Sequence, residues 1–418
     1  MAAGAGVFLG GAKSRLLPAS IPFRFFGAAV VFHLLAWLAL LAGAPRLPSF
    51  GGGLGWPLAA LHLVTLGVLA MTAIGASLQL LPVATRQPVR FARVPAAIWW
   101  LYAPGVAAVA LGMGAALPWL LVLGALAVLL ALLGYAVLLA SNLWGARGMP
   151  GVVWHGWAAL GCLLVVLATA ASLALAYLGA PLIDRSTALA LHAAFAAYGF
   201  MGLLAFGLSA ILVPMFALAE MPDDRASIVS CGLCIAALLL AALAALRVAP
   251  QLLRLAALAL AGAAVALHLI QMRGALRRGM RRELGRSFTL IKIAWAMLVL
   301  SLAAALAVVL SAPLPGLHAL FMLQRILPFL ASMHGVRGAG RAATPSSLTA
   351  QRPLVVHFFC HLAALAGLAL AVVAGSTALA TVAAAIGALG AAAFGAFFAI
   401  LLRRMRPGAP AQPSNSGT

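Results

Sequence analysis

The chain has 418 residues, of which 66% are hydrophobic and only 7% charged. That balance excludes a water-soluble domain built around one core and points to a polytopic membrane protein. The formal charge of +21 belongs with membrane topology before any nucleic-acid surface, so no nucleic-acid partner is expected.

A helix needs roughly 20 apolar residues to cross a bilayer, because every backbone polar group must be satisfied within the segment. The expected architecture is therefore all-α, with about twelve spans at 24–43, 57–82, 95–115, 118–140, 156–179, 187–216, 227–247, 251–271, 288–311, 314–333, 354–374 and 377–402. Residues 1–23 form a cytoplasmic N-terminal segment, 24–406 the membrane domain, and the Pro/Ser/Gly-rich 407–418 a disordered cytoplasmic tail. With both termini inside, 20 of the 26 basic residues fall on the inner face, including the run from Arg273 to Arg286. The outer loops keep only Arg46, Arg185, Arg247 and Arg254. This asymmetry places the protein in a cell inner membrane, surrounded by lipid.

In the first segment His33 lies mid-span, where either helix packing or ligation would use it. The second segment reads LHLVTLGVLAMTAIGASLQLLPVAT from Leu61, and the sixth reads LHAAFAAYGFMGLLAFGLSAILVPMFAL from Leu191. Both open on Leu-His, at His62 and His192, and close on a proline, at Pro82 and Pro214. The tenth, GLHALFMLQRILPFLASMH from Gly316, repeats the pattern with His318 and Pro328. The repeat unit is thus four helices taken three times, a pseudo-threefold plan that sets three imidazoles in the outer third of the membrane. Gly67, Gly75, Gly199, Gly202 and Gly207 on these helices permit close approach of a backbone, chiefly another helix.

These pieces resemble the subunit I superfamily of haem–copper oxidases, in particular its divergent branch with the NnrS-type membrane proteins. The resemblance implies haem b, with His62 and His318 as axial ligands, and sets His192 in the position of a copper ligand. It also implies a redox partner subunit and a role in electron transfer or in nitric oxide and oxygen handling. The departures from the oxidase pattern are specific. The seventh segment, SIVSCGLCIAALLLAALAAL, has no histidine pair, and the sixth lacks a His-Pro-Glu-x-Tyr-type sequence. Copper is therefore unsupported, since a full centre needs about three imidazoles. All five acidic residues, Asp184, Glu220, Asp223, Asp224 and Glu283, fall in loops or helix ends, which argues against proton-pumping oxygen reduction. No catalytic residue is named by the sequence. A small-molecule transporter and a scaffold or assembly subunit without cofactor are the alternative functions.

The remaining polar residues read as follows. His357 and His361, spaced i, i+4 at the inner start of the eleventh segment, share a face and could chelate a metal, with His334 and His155 as further members of an inner cluster. His268 is expected in a solvated position beside the basic loop. Cys231-x-x-Cys234 is a candidate metal or redox pair set against small-residue packing. Gln79 and Gln324 are expected to satisfy carbonyls freed by the repeat prolines. Arg325 is expected to snorkel to the inner interface. Trp99, Trp100, Trp119, Trp144, Trp154 and Trp157 read as interface anchors.

Overall fold

The computed structural model describes residues 17–89, 91, 93–280, 286–310 and 350–404, excluding the side chains of 286 and 287. Eleven of the described helices are long and apolar enough to cross a membrane. They are α1 (Ser20–Gly43, continued by a 3₁₀ turn, Ala44–Ser49), α2 (Trp56–Ala84), α3 (Val94–Gly114), α4 (Pro118–Trp144), α5 (Pro150–Ala176), α6 (Arg185–Ala217), α7 (Asp224–Ala245), α8 (Pro250–Arg278), α9 (Arg286–Leu310), α10 (Gln351–Ala374) and α11 (Thr377–Arg404). The last two are the predicted eleventh and twelfth segments. The predicted tenth segment, 314–333, with His318, Gln324, Arg325 and Pro328, lies outside the described residues, as do His334 and the tail 407–418.

Helix starts follow simple chemistry. Proline stands within the first two positions of α2, α3, α4, α5 and α8, where its missing N–H would have no partner anyway and its φ is already helical. Pro150 starts α5 six residues before the predicted 156, which draws His155 inside the helix. The two polar starts are capped: Asp184 accepts from Thr187 N at the head of α6, and Asp223 from Ala226 N at the head of α7. Asp224 crosses to α5 and accepts from Gly151 N at 3.0 Å, so a carboxylate sits at the positive end of that helix. The acidic residues near these termini thus hold helix ends together.

Neighbouring helices pack antiparallel through small residues. Along α3 and α4, Gly105 meets Ala127 and Val128, Gly112 meets Leu121, and Gly124 meets Val109. In a bilayer, where lipid tails are as apolar as leucine, close backbone contact of this kind supplies the association energy. Large apolar side chains face outward instead; Leu123, Leu126, Leu130 and Val137 of α4 are all exposed. Trp100, Trp119, Trp144 and Trp154 are exposed near helix ends as well, as interface anchors require.

One end of the bundle collects the start of α1 and the end of α11, where the rings of Phe23 and Phe398 lie 6.3 Å apart. The start of α3 reaches the same end through Trp99 Nε1, which donates to Arg24 O at 3.0 Å. Backbone bonds from Arg147 N to Thr85 O and from Met280 N to Leu218 O gather the 85–93, 145–149, 218–223 and 279–280 connections on their common side. At the opposite end the 3₁₀ turn after α1 contributes Ala44 and Leu47 to a cluster with Ala371 of α10 and Ala380 of α11, and Gln251 Nε2 donates to Val309 O. α1 and α10 therefore run parallel, and α8 and α9 antiparallel.

Candidate functional site

Of the described spans the two most enclosed are α2 and α6, and they share an unusual interior. Behind His62 the chain winds as a π-helix over Leu63–Ala70, and three residues behind His192 it does so again over Phe195–Met201. Each π segment carries a glycine, Gly67 and Gly199. From these the spacing is identical in both helices: eight residues to Gly75 and Gly207, then seven to Pro82 and Pro214. The histidines themselves are offset, five residues before Gly67 but seven before Gly199. Wide turns inside membrane helices free backbone carbonyls and concentrate at working sites. Here Leu66 O accepts the wide-turn bond from Met71 N and, in addition, accepts from the buried Tyr102 hydroxyl at 3.1 Å.

The glycines fix how each helix meets the one before it. A Cβ on Gly67 would lie 2.6 Å from Phe32 Cβ, and one on Gly75 3.1 Å from Phe25 Cβ. On α6 the same two positions face α5, with Gly199 2.9 Å from Cys162 Cβ and Gly207 3.0 Å from His155 Cβ. The partners are again seven residues apart in each pair, so the α1–α2 and α5–α6 hairpins share one packing register.

α2 and α6 touch each other through their proline-bearing halves. At their other ends His62 and His192 are both half-buried and stand within electrostatic reach of one another. His62 Nδ1 lies 3.0 Å from Leu58 O. A carbonyl only accepts, so this nitrogen carries the proton and Nε2 keeps the ring's lone pair. For His192, Nδ1 is 3.4 Å from Thr169 Oγ1, and that hydroxyl donates to Val165 O at 2.8 Å. His192 also hydrogen-bonds the Val166 backbone, where a carbonyl can only accept, so the ring's N–H is held by the protein and its other nitrogen keeps the lone pair. Both rings thus carry the outer-shell arrangement seen where histidine binds metal, with the far N–H held by a protein acceptor. On that observation His62 fits a ligand that would hold haem iron, and His192 a metal ligand beside it. Thr169 was not legible as a partner, since it sits on a different helix with no local signal. His318 lies outside the described residues.

The other histidines divide differently from the sequence expectation. His155 is not near His357 and His361. It is buried in α5, donates from Nδ1 to Gly151 O at 2.8 Å, and faces His268 and Phe206. Its Nε2 is buried with no hydrogen-bond partner. His268 is not solvated either. It is buried and stacks on Phe206 with ring centroids 3.9 Å apart and planes within 5°. α8 runs on to Arg278, which carries His268 a full helical stretch inside the protein. His357 and His361 are joined instead by His33 of α1. Gln79 does not serve the kink; its amide reaches Leu17 O at 3.5 Å. Cys231 and Cys234 lie beside Cys162, and all four thiols are free.

Among the described residues no three His, Cys, Asp or Glu side chains are already arranged to hold a metal ion. No protein-family model matches the chain, and no curated protein matches it.

Proposed function

We propose that the chain is an integral membrane haem-binding protein of the haem–copper oxidase subunit I type, working in electron transfer or in nitric oxide and oxygen handling. The observation that carries this reading is the paired design of α2 and α6. Each places a histidine whose ring N–H is committed to protein and whose other nitrogen is left with its lone pair, ahead of a π-helical segment, in the most enclosed of the described spans. The third histidine of the repeat, His318, completes the pseudo-threefold plan of twelve helices, with His62 and His318 as the axial pair and His192 beside them. An imidazole inside a membrane costs several kcal/mol unless something uses it, and a second one adds to that cost. Bound haem b would supply reversible one-electron chemistry and an iron site for a diatomic gas. The protein's part is to hold the ring tautomers, exclude lipid and water, and accept electrons from a redox partner. The basic face of the bundle is assigned to the cytoplasm.

The test is a dithionite-reduced minus oxidised visible spectrum with a pyridine haemochrome assay on protein made in haem-replete cells. A stoichiometric b-type signal is expected, lost in His62→Ala and His318→Ala. A colourless wild type would remove the haem reading and leave a carrier or a scaffold subunit.

A further inference from the structure

Proline in the last turns of α2 disturbs the hydrogen bonding of that helix. Pro82 has no N–H, so Leu78 O, the carbonyl four residues before it, loses the partner that a regular helix would give it. In a membrane-spanning helix such an acceptor is met by a neighbouring helix, a side chain or an ordered water. The polar side chains of this stretch are committed elsewhere. Ser77 Oγ donates to Ile74 O at 2.9 Å, Gln79 Nε2 to Leu17 O at 3.5 Å and Thr85 Oγ1 to Leu81 O at 2.7 Å.

Beside the proline, α2 and α4 enclose a small cavity, bordered by Ser77, Leu78 and Pro82 from α2 and by Tyr135 and Asn142 from α4. Its volume is about 20 Å³, against the roughly 10–15 Å³ that one water needs. The protons on its walls are already assigned. Ser77 gives its own to Ile74 O, so the 2.9 Å contact between the Ser77 and Tyr135 hydroxyls is donated by the tyrosine, and Tyr135 Oη is left with lone pairs only. Asn142 Nδ2 donates one hydrogen to Gln87 O at 3.2 Å and keeps a second. Asn142 Oδ1 stands 3.0 Å from Thr85 Oγ1, but the single hydrogen of that hydroxyl is drawn to the closer Leu81 O. Leu78 O, Tyr135 Oη and Asn142 Oδ1 are therefore acceptors in want of a hydrogen, and Asn142 Nδ2 is a donor in want of a lone pair.

One water molecule matches that set, since it offers two hydrogens and accepts through its oxygen, and a buried water needs two to four such partners. An anion would meet mostly lone pairs. A cation would find no carboxylate on the cavity wall to offset its burial. We propose that this cavity binds one water molecule, which donates to the carbonyl freed by Pro82 and ties α2 to α4 through Asn142 and Tyr135. Water then takes the role at the kink that Gln79 does not fill. It joins the Tyr135–Ser77 and Asn142–Thr85 pairs into one hydrogen-bonded seam in the proline-bearing half of α2, the half that touches α6. The site lies at the other end of α2 from His62 and does not depend on what that histidine holds.

The experiment is X-ray hydroxyl-radical footprinting of the full chain in detergent, in which a bound water yields radicals where it sits and the side chains beside it are oxidised, the positions being read by mass spectrometry. Two tyrosines form a matched pair. Tyr135, at the cavity, is 1% exposed, and Tyr102, bonded to Leu66 O in the other half of α2, is 0% exposed. Tyr135 should be oxidised and Tyr102 should not. A radical scavenger in the buffer should suppress oxidation of the exposed Met280 and spare that of Tyr135. Asn142→Leu, which keeps the bulk and removes the polar atoms, should lose the Tyr135 signal, and Pro82→Ala, which returns an N–H to Leu78 O, should lower it. The wild-type comparison decides the matter if a variant fails to fold. Equal protection of the two tyrosines would overturn the proposal, as would a Tyr135 signal that the scavenger removes together with that of Met280, or one that persists in full in folded Asn142→Leu. A signal unchanged in Pro82→Ala would deny the water its role at the kink.

Discussion

At the scale of single residues, the clearest consequence of charge in this chain is at Asp184. Its carboxylate accepts from Ser186 Oγ, from Thr187 N and from Thr187 Oγ1, and these bonds hold its pKa down at about 2. The ordinary carboxyl value in an unfolded chain is about 3.9. A depressed carboxyl stabilises the fold above that ordinary value, and the contribution disappears as pH falls through the folded one. The thermal midpoint of the wild type should therefore exceed that of Asp184→Ala at neutral pH. The gap should narrow below about pH 4, where the unfolded carboxyl protonates. Asp184→Asn, which still caps but does not titrate, should give a midpoint that lacks this contribution to the acid dependence. A wild-type advantage that stays constant down to about pH 2.5 would show that the carboxylate charge is not what holds the head of α6.

At the scale of helices, the glycines of α2 and α5 give a comparison in which two known effects oppose each other. Alanine in place of glycine favours a helix by up to about 1 kcal/mol, while forcing an extra methyl into a packed contact costs about 1–3 kcal/mol. At Gly67 the new Cβ would stand 2.6 Å from Phe32 Cβ, an atom fixed to the α1 backbone that cannot swing aside, so overpacking should win. At Gly161, exposed on α5, nothing lies within 4 Å, and the helix preference should act alone. Gly67→Ala is thus expected to lower the thermal midpoint and Gly161→Ala to leave it level or raise it; the reverse order would refute the packing register. The same helices show what could be read beforehand. Leu-His starts and proline ends are composition and spacing, so the α2 and α6 spans and their kinship were legible. The π segments were not, because a wide turn depends on which carbonyls find partners such as Tyr102 on another helix. His33 joins His357 and His361 by tertiary packing between segments more than 300 residues apart in sequence, and no periodicity carries that information. His155 was misplaced because proline at the start of α5 extends that helix beyond its apolar run.

At the scale of the whole molecule, direction can be followed from end to end. Phe23 near the start of α1 and Phe398 near the end of α11 meet at one end of the bundle, so α1 begins and α11 ends on the same side. The interhelical connections at 85–93, 145–149 and 218–223 belong to that side too, and with Arg24, Arg86, Arg147, Arg225, Arg403 and Arg404 nearby it carries far more basic charge than the opposite side. Short basic loops resist translocation, so this end should be cytoplasmic. A green fluorescent protein fused after Thr418 should then fluoresce and alkaline phosphatase fused there should be inactive, while phosphatase inserted at Gly179, in the turn after α5 at the opposite end, should be active. If both phosphatase fusions were silent, the turn after α5 would not be exposed outside. If the pattern were reversed, the histidines at the outer ends of α2 and α6 would face the cytoplasm, and an electron donor would have to be sought on that side instead.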